Sequence, residues 1–179
     1  MLFIVDCECD SGWESFEMSC YKAASDIFDF KNWTSAENDC MEKGAHLTSI
    51  QSDAENSFLV PYARHAPFAF TGGRRTNENS FSWTDGKPFN YENWEEGEPW
   101  DGYDCIGLMN QGENHPGNGK WVGIDCDSPH DKYICKKPLN GNYKGLFINR
   151  MPKPYKAMYT IKKYQIFMRL LLFQVMQTA

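Results

Sequence analysis

Five carboxylates and two tryptophans fall within the thirteen residues Asn93-Trp94-Glu95-Glu96-Gly97-Glu98-Pro99-Trp100-Asp101-Gly102-Tyr103-Asp104-Cys105. Gly97, Pro99 and Gly102 exclude a regular helix, so the stretch must be a shaped loop, anchored at its end by a cysteine. Two chemistries follow from these residue types. Carboxylate oxygens ligate hard cations such as calcium, and the faces of Trp and Tyr bind sugar rings or anchor protein contacts. Catalysis does not follow. Glu95/Glu96 and Asp101/Asp104 are paired acids without a partner for acid–base work, and no Ser or Cys nucleophile has a His in a recognisable arrangement. The chain also lacks a P-loop, a G-x-G-x-x-G, an H-E-x-x-H and any internal repeat.

The rest of the chain must hold that loop in place. At 179 residues, 41% apolar and 15% aromatic, it can build one domain with a real core and room for an appendage. Seven cysteines favour an oxidising, extracellular or secreted setting and a disulfide framework. Zinc is excluded because Cys7-x-Cys9 is the only close pair and no His lies near it. Met1–Val5 is too short an apolar run for a secretory signal, so the signal lies outside this chain or the start is incomplete. Charge is uneven. Residues 1–135 hold nine Lys/Arg against twenty-four Asp/Glu, a net of −15, while residues 136–179 hold nine Lys/Arg and no acid. The acidic part argues against a nucleic-acid partner.

Local signals place the elements. Cys9–Phe16 and Ser19–Lys22 read as two short strands at a turn, with Trp13, Phe16 and Tyr21 in the core. Thr34 and Glu37 form a capping box that opens a helix, Trp33, Ala36 and Cys40 share its inner face, and Gly44 ends it. Asn32-Trp33-Thr34 is also an N-glycosylation triplet, whose use is disfavoured at a capped helix start. Ala45–Ile50 reads as a strand. Ser52 and Glu55 cap a second helix that carries Ala54, Phe58 and Leu59 inward until Pro61 stops it. Phe68–Arg74, Phe81–Trp83, Cys105–Met109, Trp121–Ile124 and Lys132–Cys135 follow as strands, with a turn at Asp85-Gly86. His46 and His65 are lone histidines with no ligand role.

Taken in order, the landmarks resemble the C-type lectin-like domain in its long form with an N-terminal hairpin. They are Gly12-Trp13, Phe16 and Cys20-Tyr21; Trp33, Ala36, Cys40 and Gly44-Ala45-His46-Leu47; Phe70–Arg74, Phe81, Trp83 and Asp85-Gly86; Trp94, Gly97-Glu98-Pro99 and Cys105; Lys120-Trp121, Cys126 and Tyr133-Ile134-Cys135. The resemblance covers residues 9–136. It implies an α+β double-loop fold, two helices flanking small antiparallel sheets, and a long loop that carries the ligand site. It pairs Cys9 with Cys20, Cys40 with Cys135 and Cys105 with Cys126. Cys7 is left free or bridged to a second chain as a disulfide-linked dimer. Residues 1–8 form a stub.

Residues 137–179 form a basic tail expected outside the domain core, so that cutting after Pro138 should leave the melting temperature nearly unchanged. The run Tyr164–Met176, interrupted by Arg169, is too short to span a bilayer but suits contact with an anionic membrane surface. A disordered extension or a wrongly placed coding end fits it equally.

The resemblance also implies calcium, and here the chain departs from the pattern. Sugar-binding members coordinate the ion through Glu-Pro-Asn, an acid two residues before the next cysteine, and Asn-Asp after the later tryptophan. In this chain Glu98-Pro99 is followed by Trp100, Tyr103 holds the acid's place, and Val122-Gly123 follows Trp121. Four of the five side-chain ligands are missing. Nothing is then left to hold the Glu98-Pro99 bond in the cis form that the family uses with calcium. The substitutions Trp100→Asn, Tyr103→Glu, Val122→Asn and Gly123→Asp would restore the set. At the auxiliary calcium position Glu78, Asp101 and Asp104 match acids while Arg74 and Tyr103 do not, which allows weak, millimolar calcium at most, with Glu98 the remaining candidate ligand. No cofactor is required on this reading. The ligand face comprises Glu98, Trp100, Asp101, Tyr103 and Asp104, and the partner is a glycan or a cell-surface or secreted protein.

Overall fold

The computed structural model describes residues 8–24, 30–64, 66–78, 80–112 and 115–139. The expectations for Cys7, His65 and the tail from residue 140 onward lie outside these residues.

Among the described residues, eight strands and two helices make an α+β fold. Strands β1 (Glu14–Phe16), β2 (Ser19–Ala23), β3 (His46–Leu47) and β8 (Ile134–Pro138) form one sheet in the order β1-β2-β8-β3. Strands β4 (Phe68–Asn77), β5 (Ser80–Trp83), β6 (Cys105–Met109) and β7 (Trp121–Ile124) form the second in the order β5-β4-β6-β7. All named strand pairs are antiparallel. Pairing of β2 with β8 brings the two ends of the domain together, and β8 runs through Lys137 and Pro138, the first residues assigned to the tail. The three disulfides are those the resemblance implies: Cys9–Cys20, Cys40–Cys135 and Cys105–Cys126. Among the described residues no helix is long and apolar enough to cross a membrane.

Helix α1 (Trp33–Glu42) buries Trp33, Ala36 and Cys40, as the spacing predicts. Its cap differs from the expected one. Asn32, not Thr34, is the N-cap, and its side-chain oxygen accepts from the Ser35 N–H at 2.9 Å. Glu37 is drawn away from a capping role because its carboxylate accepts from the Leu47 N–H (2.7 Å) and contacts the His46 ring. The helix ends at Lys43, and Gly44 supplies the left-handed residue that follows.

Helix α2 (Asp53–Leu59) starts at Ser52, which caps the Glu55 N–H at 3.1 Å. The inward residues are Glu55, Asn56 and Leu59, whereas Ala54 is exposed, contrary to the apolar pattern. Polar partners decide this. Glu55 accepts from Lys136 Nζ (2.5 Å) and the Tyr21 hydroxyl (2.6 Å), and Lys136 also donates to Ser49. Every member of this buried group has a partner, the condition under which burying charge is tolerable. A 3-10 turn over Val60–Ala63 follows, opened by Pro61.

Strand β6 is buried along its whole length and forms the centre of the second sheet. Gly73 on β4 faces it closely, since a Cβ there would stand 2.3 Å from Ile106 Cδ1. Beside β6, Trp121 is fully buried, with Trp83, Tyr91 and Trp94 edge-on to its ring at 5.5, 5.5 and 5.7 Å.

Candidate functional site

The long loop is tied to this aromatic core at its root. Trp121 N–H donates to Asn93 O (2.8 Å) and Glu95 N–H donates to Trp121 O (2.9 Å), so β7 holds the loop's first residues. Asn93 receives a further bond from Lys120 Nζ at 2.9 Å. The loop's far end enters β6 at Cys105, which is bonded to Cys126.

Between these anchors Glu98 faces β7. Its Oε2 accepts the Gly123 N–H at 2.9 Å and the Trp100 N–H at 3.2 Å. The Glu98-Pro99 peptide is cis, which corrects the expectation that nothing would hold it so. The Glu98 carboxylate accepts backbone N–H groups beside that peptide, at the position where the family pattern places calcium. Gly123 itself is crowded: a Cβ there would lie 2.9 Å from Tyr103 Cβ and 3.3 Å from Glu98 Oε2. The fourfold restoration of the calcium set is therefore not a simple exchange, because an Asp at Gly123 would press on the Cβ of Tyr103, which must shift to admit it.

The second half of the loop turns on a residue that sequence reasoning passed over. Strand alternation sends Arg74 toward the Trp33 ring, 5.3 Å from its centroid, and Arg75 toward the loop. Arg75 donates from Nε to Asp104 Oδ1 (3.0 Å), from Nη1 to Glu78 O (3.0 Å) and from Nη2 to Trp100 O (3.1 Å). Its own N–H donates to Asp104 O at 2.7 Å, and its guanidinium lies 4.9 Å from the Phe81 centroid. Sequence reasoning named Arg74 and passed over Arg75, because β4 carries a register shift between Phe70 and Arg74 that simple alternation does not reveal.

The expected ligand residues divide accordingly. Trp100 and Tyr103 are exposed, at 61% and 41%, with their rings edge to face 6.4 Å apart. Glu78, Glu98 and Asp101 line a cleft of about 530 Å³ shared with Arg75, Phe81 and Trp94. Asp104 is engaged by Arg75. Asp125, next to Cys126, closes its own turn by accepting from Asp127 N–H (3.0 Å) and the Ser128 hydroxyl (2.8 Å).

Residues 29–137 match the family described as Lectin C-type domain. The chain belongs to the C-type lectin family. Snaclec 3 of Sistrurus catenatus edwardsii is 37% identical over 139 residues, spanning 72% of this chain and 84% of that protein. Among solved structures, the cow CD23 carbohydrate-recognition domain, determined in the presence of GlcNAc2Man3 oligosaccharide, superposes with a TM-score of 0.63 at 29% identity. It covers 74% of this chain and 98% of that one. A calcium-independent type II antifreeze protein gives 0.64 at 26% identity, covering 74% and 96%.

The calcium that this C-type lectin's family implies does not fit the side chains present. Glu98 spends one oxygen on two backbone amides, Gly123 has no side-chain ligand and its Cβ position is crowded by Tyr103, and the Arg75 guanidinium engages Asp104. Among the described residues no three His, Cys, Asp or Glu side chains are grouped as a metal's ligands would be.

Proposed function

We propose that this domain is an extracellular recognition module that engages a glycan or a protein directly through Trp100 and Tyr103, without calcium. The observation carrying the reading is the employment of Glu98. The one principal-site ligand left in the sequence accepts the Gly123 and Trp100 N–H groups, so the loop is shaped by its own backbone and presents Trp100 to solvent. A tryptophan held rigidly at a loop tip offers large contact area at low entropic cost, the usual character of an interface anchor. The calcium-independent antifreeze protein supports the reading by its name, since the same fold there is described as independent of calcium. The three disulfides support an extracellular setting. A disulfide-linked dimer through Cys7 stays part of the proposal.

Immobilised mannose, galactose and N-glycan arrays, together with a panel of secreted and cell-surface ectodomains, test it. Any ligand found should bind equally in calcium and in EDTA, and Trp100→Ala should weaken it at least tenfold, the scale of a hot-spot residue. Retention that EDTA abolishes would overturn the reading.

A further inference from the structure

Asn32-Trp33-Thr34 is the one Asn-x-Ser/Thr triplet in the chain, and the ligand loop makes no use of it. Its use is disfavoured on the sequence because Thr34 is expected to cap a helix there. The structure distributes the atoms differently. Asn32 is the N-cap of α1, in extended backbone with φ −72° and ψ 168°, and its Oδ1 accepts the Ser35 N–H at 2.9 Å. The cap therefore employs the oxygen of the amide and leaves the nitrogen, which has no partner among the described residues. Asn32 is partly exposed, and Thr34 is exposed and does not cap the helix. Trp33 between them is buried. Its indole N–H donates to Thr71 O at 2.8 Å and its backbone N–H to Cys126 O at 2.9 Å. The middle residue thus anchors the turn, while the amide nitrogen and the hydroxyl that define the triplet stay uncommitted.

We propose that Asn32 is a modification site: its Nδ2 carries an N-linked oligosaccharide, and the same side chain caps α1 through Oδ1. The inference goes beyond the ligand reading and shares with it only the extracellular setting. The co-reactant is a lipid pyrophosphate-linked oligosaccharide of the secretory pathway, transferred by the cell's own enzyme as the chain enters. The bond from Nδ2 to the anomeric carbon forms and the bond from that carbon to the pyrophosphate oxygen breaks. One amide proton is released, the lipid pyrophosphate leaves, and nothing is oxidised or reduced. The product keeps the amide oxygen, so the Ser35 N–H keeps its acceptor. A neutral sugar adds no charge to the positive end of the helix dipole, and a bulky polar group belongs at a surface turn of this kind. Cap and glycan use different atoms of one amide and do not compete.

The test directs the full chain through the secretory pathway of a eukaryotic cell and compares wild type with Thr34→Ala, Thr34→Ser and Asn32→Asp. Intact mass is measured before and after peptide N-glycosidase, and the peptide that holds Asn32 is mapped. Wild type and Thr34→Ser should carry an added mass that the glycosidase removes, leaving aspartate in place of the modified asparagine. Thr34→Ala and Asn32→Asp should lack the added mass and still fold, since the first keeps the capping amide and the second supplies a capping carboxylate. Amide exchange then tests the shared side chain. The Ser35 N–H should be equally protected in the glycosylated wild type and in bare Thr34→Ala. Clearly weaker protection in the glycosylated chain would overturn the claim that cap and glycan coexist. The Cys40–Cys135 bond is mapped in the same wild-type sample as a report of the oxidising compartment. That bond formed with Asn32 unmodified would overturn the site and leave the extracellular reading standing. The ligand reading is untouched by either failure, because no ligand enters the experiment.

Discussion

Glu98 and His130 show how packing assigns chemistry to single side chains. With Glu98 removed, the Gly123 and Trp100 N–H groups lose their acceptor, and a partly buried donor left without one costs about 1–3 kcal/mol. Glu98→Ala should lose that much in urea unfolding, and Glu98→Gln should recover part of it because its amide oxygen still accepts. His130 packs edge-on against Phe68 and Phe70, at 4.5 and 5.1 Å between centroids. Burial among those rings pushes its pKa below the ordinary 6.5, against the opposing pull of Asp131 and Asp125. The folded state then favours the neutral ring, while the unfolded chain takes up the proton. The group is neutral toward stability well above pH 6.5 and destabilises as pH falls through 6.5. His130→Phe keeps the ring contacts and removes the proton site, so its melting temperature relative to wild type should rise between pH 7 and pH 5. A constant difference across that range would count against the assignment.

At the scale of elements, the sequence spoke clearly where partners are local and poorly where they are distant. Helix α1 was legible because its inward residues recur at helical spacing and Gly44 follows it. The orientation of α2 was not, because Glu55 and Asn56 turn inward for partners on Tyr21, Lys136, Gly119 and Trp121. Asn56 donates to Gly119 O and accepts from the Trp121 indole N–H, both at 2.8 Å, so it joins α2 to the strand that roots the long loop. Asn56→Leu preserves volume but strands the buried Trp121 indole N–H, while Gly119 O keeps the Asn93 Nδ2 donor at 2.8 Å. It should cost about 1–3 kcal/mol by denaturant unfolding, from one orphaned group. A loss well under about 1 kcal/mol would mean that water replaces the lost bond. The same distinction explains the candidate site. The missing calcium ligands could be read residue by residue, whereas Arg75 acts on atoms three to twenty-nine positions away and is visible only once β4 has a register.

For the molecule as a whole, the three intradomain disulfides were legible through the family pattern, and their consequence scales with loop length. Cys40–Cys135 closes ninety-five residues and Cys9–Cys20 only eleven. The chain-entropy relation gives about 4.7 kcal/mol for the first and about 2.8 for the second. Replacing both Cys40 and Cys135 by alanine should leave a chain that is largely unfolded at 37 °C, since such a loss is comparable with a domain's whole stability. The Cys9→Ala, Cys20→Ala pair should stay folded, with a lowered midpoint in calorimetry. Equal losses in the two variants would show that the unfolded state is already compact around α1.

The tryptophans form two optical populations. Of the six, Trp121 and Trp83 stand edge-on inside the aromatic core, Trp33 is buried beside Arg74, and Trp13 and Trp94 are half covered; Trp100 alone is largely open to solvent. The domain therefore carries its own dye on the face proposed above to receive a ligand. Iodide should quench one minor, red-shifted component of the emission, and Trp100→Phe should abolish that component while the near-ultraviolet circular dichroism of the locked rings persists. A ligand that shields the component from iodide can then be recognised without any label.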